Sequence, residues 1–164
     1  GPILRVVFGS RNPSYISPIL SAIQSDLCES GIDGVLSTHI QRDALEKFSY
    51  VSPIGAAGVY LHAVAGDFQK EGAARELFKS MIREISTLAA AMGYPFEKDY
   101  VKINLEILSN LSADATTSMQ RDIMEGKPSE LDGLVMEPLR LAKKYSVSMP
   151  CYEEVAKVLC PLEF

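Results

Sequence analysis

Apolar residues recur at helical spacing from about His39 to the carboxy terminus, and this period restricts the chain to a mainly α fold. The clearest run predicts a helix over 71–92, where Leu77, Met81, Ile85, Leu88 and Met92 lie 4, 4, 3 and 4 residues apart and Gly93 ends the pattern. On that helix Glu76 and Lys79 can pair across one turn, and Arg83 and Glu84 read as surface. Earlier, Ile40, Ala44, Phe48 and Val51 form one stripe of a helix beginning near Thr38. Pro53, Gly55 and Gly58 should loosen or kink it within a run of small residues, 52–59, where a backbone or a ligand can approach closely. Val64-Ala65-Gly66-Asp67 reads as a turn, and Val101, Leu105 and Leu108 place a helix over 97–111. Pro150 opens a last helix packed through Val155, Val158 and Leu159, and Pro161 ends it.

Residues 116–133, TTSMQRDIMEGKPSELDG, form the most structured stretch. A short helix would bury Met119, Ile123 and Met124, then break at Gly126-Lys127-Pro128. Ser129 can cap a second helix, which Pro138 should kink or shorten. By local chemistry this is a packed corner, with Ser118 as a cap and Glu130 and Asp132 complementing a helix dipole. The functional alternative is that Ser118 and Glu130 flank one opening. Lys47 has the same two readings. Most helix lysines are solvated, but one beside a small-residue segment can also orient and protonate an oxyanion at a cleft edge.

The amino-terminal part differs in pattern. Residues 3–8 read as a buried strand ending at Gly9. Residues 13–30 read as a helix with Ile16, Ile19, Leu20, Ile23 and Leu27 on one face, and 34–38 as a second strand. Two strands are too few for a sheet that stands alone, so the chain is expected to begin inside a domain. The turn after the first strand, Phe8-Gly9-Ser10-Arg11-Asn12-Pro13, holds one glycine, and no GxGxxG or GxxxxGK[ST] occurs anywhere.

Composition removes several classes of function. Apolar residues make up 47% of the 164 and charged residues 23%, a mix that supports a globular core. The net charge is −5 and no basic run exceeds Lys143-Lys144, which argues against nucleic acid as a partner. No apolar run reaches membrane-spanning length, and no signal-peptide pattern is present. Cys28, Cys151 and Cys160 lack metal-ligand spacing and read as reduced thiols of a cytoplasmic protein, with no metal site.

Five pieces, in order and at compatible spacing, resemble the carboxy-terminal domain of ketopantoate reductases. They are VVFG (6–9), LEKFSY (45–50), VAGDF (64–68), SMQRDIMEGKPSELDG (118–133) and LAKKYSVSMP (141–150). The resemblance implies an all-helical substrate and dimerisation domain over 39–164, of the 6-phosphogluconate dehydrogenase-like type. Residues 1–38 would be a small α/β remnant of a Rossmann domain. It further implies NADPH-dependent reduction of ketopantoate, or a related 2-oxo acid, to pantoate in pantothenate biosynthesis. The dinucleotide would be bound mainly by a preceding domain, a fragment alone would be inactive, and a homodimer is plausible. By matching position, Lys47 would donate the proton to the nascent alkoxide, Ser118 would bind substrate, and Glu130 would stand where cofactor and substrate meet. Positions where the family carries asparagine hold Val51, Gly55, Ala65 and Ala115, implying a pocket with fewer amide donors. Two other readings remain open: a helical interaction module without chemistry, and a reductase of another 2-oxo acid or ketone.

Overall fold

The computed structural model describes residues 4–12 and 17–161. The chain divides into two compact units, Gly1–Leu45 and Glu46–Phe164. In the first, β1 (Arg5–Gly9), α1 (Pro18–Glu29) and β2 (Asp33–Ser37) make a βαβ unit, and the strands pair in parallel from Arg5↔Asp33 to Gly9↔Ser37. Parallel neighbours need a crossover of this kind because a tight turn cannot reverse direction twice. Gly9 is required by the pairing: a Cβ there would lie 2.3 Å from the Ser37 carbonyl oxygen. Expected face residues Ile19 and Ile23 of α1 are instead 69% and 41% exposed, and α1 has no buried residue among those described. Gln24 Nε2 and the Cys28 thiol donate to the Gly34 carbonyl of β2, at 3.0 and 3.8 Å, and a Cβ on Gly34 would lie 3.0 Å from Leu27 Cβ. Ile3 and Ile16 lie outside the described residues.

Helix α2 (Ile40–Leu61) runs from the first unit into the second. In the second unit follow α3 (Ala65–Gln69), α4 (Ala73–Ala91), α5 (Tyr100–Ser109), α6 (Ser118–Met124), a π-helical stretch (Asp132–Met136), α7 (Glu137–Tyr145) and α8 (Pro150–Leu159). The predicted turn at 64–67 is thus the start of a short helix, because the Asp67 carboxylate accepts the Val64 N–H at 3.0 Å. The core gathers on α4, whose Phe78, Met81, Ile82, Ile85 and Leu88 are buried and on which α3, α5, α7 and α8 pack. Phe78 meets Tyr50 and Phe68 edge-on, both at 6.0 Å between centroids. Glu84, read from the sequence as surface, accepts the N–H groups of Cys151 and Tyr152 at 2.8 and 3.1 Å and so fastens the start of α8 to α4. Val158, expected to pack, is 59% exposed.

Two prolines sit inside helical structure, and neither breaks it. Proline 53 cannot donate to the Ser49 carbonyl. That carbonyl accepts the Asn104 amide from α5 instead, at 3.1 Å, and α2 continues for 22 residues. Likewise Pro138 cannot donate to the Leu134 carbonyl. Ser52 Oγ on α2 donates to it at 2.6 Å and lies 2.5 Å from the Tyr152 hydroxyl. The chain passes Pro138 by widening into the π-helical stretch, with the Glu137 N–H reaching the Asp132 carbonyl. Each proline's orphaned acceptor is therefore satisfied by a side chain from a different helix, which ties α2 to α5 and to the 132–136 stretch.

Candidate functional site

The face of α2 carrying Lys47, Val51 and Gly55, at four-residue spacing, organises the site. Lys47 is exposed, as is Val51 at 38%, whereas residues 52–58 are all buried. Of the expected apolar stripe, Phe48 packs against the core, but Ala44 and Val51 are exposed and do not mark the most buried side. The small residues do, because other elements press directly on the α2 backbone. A Cβ on Gly55 would lie 3.1 Å from Met119 Cε, 3.8 Å from Leu134 Cδ1 and 4.0 Å from Thr117 Oγ1. Gly55 thus touches both sides of the corner: the start of α6 and the π-helical stretch.

Local chemistry explains why α6 starts where it does. Thr117, not Ser118, is the cap: its hydroxyl accepts the Gln120 N–H at 3.2 Å, and Gln120 Oε1 accepts the Thr117 N–H at 2.9 Å. Gln120 Nε2 then donates to the Ala63 carbonyl at 2.8 Å, and the same amide fills the space left by Gly58, 2.8 Å from where a Cβ would stand. Gln120 is 9% exposed and locks the first turn of α6 against the end of α2. Ile123 and Met124, predicted to be buried, are 36% and 83% exposed, since Met119 and Gln120 take the inward positions. Ser118, relieved of capping, sits on the first turn with its side chain exposed.

On the other side of Gly55, the Leu134 N–H donates to the Glu130 carbonyl at 2.9 Å, so Glu130 lies one turn before the leucine that meets α2. Its side chain is exposed. No side-chain cap is made at Leu131, where the helix begins, so the expected Ser129 cap is not the one used. Asp132 takes a two-pronged contact from Arg140, at 2.9 and 2.8 Å, and the guanidinium holds its carboxyl below the usual aspartate range. Ala65 and Ala115, two of the positions where the resemblance led to an expectation of asparagine, are joined through the backbone, Ala65 N–H to Ala115 carbonyl at 2.9 Å. Beside them a Cβ on Gly66 would stand 2.9 Å from the Ala113 carbonyl oxygen.

The structure therefore brings the elements of all three predicted residues to one glycine of α2. Lys47 is eight residues before Gly55, roughly 12 Å along the axis at about 1.5 Å per residue. Ser118 lies between two residues that touch Gly55, and Glu130 is one turn from the third. Among the described residues the side chains of Lys47, Ser118 and Glu130 have no hydrogen-bond or ion-pair partner, so all three are available to a ligand. Two clefts beside α5, of about 320 and 500 Å³, are lined by α4 and α5 residues such as Arg83 and Lys102 and include none of the three. Sequence reasoning missed Thr117 and Gln120, although the Thr-x-x-Gln capping pattern was present. It also missed Ser52, for which only the proline four residues after Leu134 gave a hint.

The fold is that of the helical half of ketopantoate reductase structures: the 2-dehydropantoate 2-reductase of Methylococcus capsulatus matches with a TM-score of 0.84 and 23% identity, over 97% of this chain and 50% of that one. The chain belongs to the ketopantoate reductase PanE/ApbA C-terminal family, whose model matches residues 39–163. It is similar to YkpB, an uncharacterized oxidoreductase of Bacillus subtilis (24% identical over 151 residues, 92% of this chain and 50% of the relative). It is also similar to the 2-dehydropantoate 2-reductase of Aquifex aeolicus (26% over 158 residues, 94% and 51%). The chain spans about half the length of these curated relatives. Among the described residues no helix is long and apolar enough to cross a membrane.

Proposed function

We propose that this chain is the carboxy-terminal half of a cytoplasmic, NADPH-dependent reductase that converts 2-dehydropantoate, or a related 2-oxo acid, to the 2-hydroxy acid. Residues 1–38 would be the last part of its dinucleotide-binding domain, and 39–164 its substrate and dimerisation domain. The observation that carries this reading is the exposed, unpartnered Lys47 on the helix face that leads, two turns on, to the start of α6 and the stretch after Glu130.

NADPH fits this chain only in part. Gly9, the last residue of β1, is taken up by its contact with the Ser37 carbonyl and so is not free to cradle a phosphate. Glu130, an exposed carboxylate with both oxygens open, is the residue placed toward the dinucleotide, and a preceding domain holds the rest. What bound NADPH supplies is hydride at the oxo carbon. Lys47 faces the oxygen on which charge then develops, stabilises it as an ammonium and gives up a proton to it. Ser118 donates to the substrate and fixes its orientation. Gln120 and Thr117 hold Ser118 still, which keeps the geometry from being reassembled at each turnover.

A helical interaction module without chemistry is the second reading, favoured by the exposed Ile123 and Met124 on α6. The two separate cleanly in an assay of the longer protein with NADPH and a panel of 2-oxo acids. The proposal expects cofactor oxidation that depends on the 2-oxo acid. No turnover with any member of the panel would leave the interaction module as the better reading.

A further inference from the structure

Residues 118–140 hold three cations, and two are already neutralised. Lys127 pairs with Glu125, and Arg140 pairs with Asp132 and Glu137. Arg121 has no carboxylate partner among the described residues. Its Nη1 donates to the Thr116 carbonyl at 3.0 Å and to Thr116 Oγ1 at 3.4 Å. That contact steadies the guanidinium by one nitrogen and leaves Nε and Nη2 open. Ser118 stands three residues earlier on the same helix, which puts the two side chains about 5–6 Å apart at Cβ on one face. Both are exposed, and the turn between them is the one that Thr117 and Gln120 lock.

We propose that Arg121 binds the carboxylate of the 2-oxo acid, with Ser118 as a second donor, while Lys47 serves the oxo group. This rests on the reading of function above. A 2-oxo acid presents two oxygen-bearing groups side by side, and one lysine serves both poorly. A carboxylate held against Lys47 would favour its charged form and make it a weaker proton donor. A planar guanidinium with two open N–H edges matches a carboxylate better than a point charge does. Asp122, four residues after Ser118 and half-buried on its other flank, repels an anion and so directs the carboxylate to the Arg121 side.

The test uses the longer protein and compares a 2-oxo acid with its methyl ester, which keeps the ketone and removes the charge. For Arg121→Met, kcat/KM for the acid relative to the ester falls about 10-fold or more, mainly through KM of the acid. Arg121→Lys restores part of the ratio. A role in packing alone would depress both substrates together, so an unchanged ratio in a variant with the wild-type circular dichroism spectrum overturns the assignment. A wild type that reduces neither compound overturns the functional reading itself, and Arg121's role with it.

Discussion

At the scale of single residues, the contact between Gly58 and Gln120 decides how α6 is held. A methyl group at 58 would sit 2.8 Å from the buried amide, which is already committed to Thr117 and to the Ala63 carbonyl. Gly58→Ala must therefore displace Gln120 or strain α2, and it should cost about 1–3 kcal/mol. The sign reverses once the amide is gone. In a Gln120→Ala background the same change fills empty space in a helix interior, where alanine is preferred over glycine by up to about 1 kcal/mol. Urea unfolding of the four proteins measures this coupling. Equal effects of Gly58→Ala in both backgrounds would show that Gln120 is not what the glycine accommodates.

At the scale of elements, the 132–136 stretch is the part that periodicity could not describe. Its backbone is widened to pass Pro138, its Leu134 carbonyl is claimed by Ser52, and its first turn is clamped by Arg140. The clamp carries a pH signature. Because Arg140 donates to Asp132, the folded-state pKa of Asp132 lies below the ordinary value. Between those two values the unfolded chain binds a proton that the folded chain does not, so stability rises with pH there. The contribution is complete above the ordinary aspartate value, about 3.9, and is lost as pH falls through the depressed one. Wild type should unfold at a higher temperature than Asp132→Asn at about pH 6 and low salt, and the gap should close below about pH 4. A gap independent of pH would mean that the ion pair contributes nothing. Other elements were legible from the sequence for a simple reason: α4 buries one face at regular spacing, and regular burial is what periodicity detects. Helix α6 is too short for that. Its inward side is a methionine and a glutamine, so a pattern of apolar residues pointed to Ile123 and Met124, which face outward.

For the whole molecule, the mainly α class, the βαβ start and the family were all legible, because each rests on features spread along the chain. The candidate site was legible only as a set of residues. Lys47, Ser118 and Glu130 could be named from the corner and its resemblance, but nothing in the sequence showed that Gly55 is where their elements meet. That meeting depends on contacts between residues more than 60 positions apart, such as Gly55 with Met119 and Ser52 with Leu134. The same contacts account for a glycine at position 55, where a Cβ would lie 3.1 Å from Met119 Cε. If Lys47 gives the proton that completes reduction, kcat of the longer protein with NADPH and a 2-oxo acid at saturation depends on it, and comparison with the Lys47→Ala variant measures that dependence. The expected result is a fall of about 10²–10⁴-fold with a much smaller change in KM. Equal kcat in the two proteins would contradict that role.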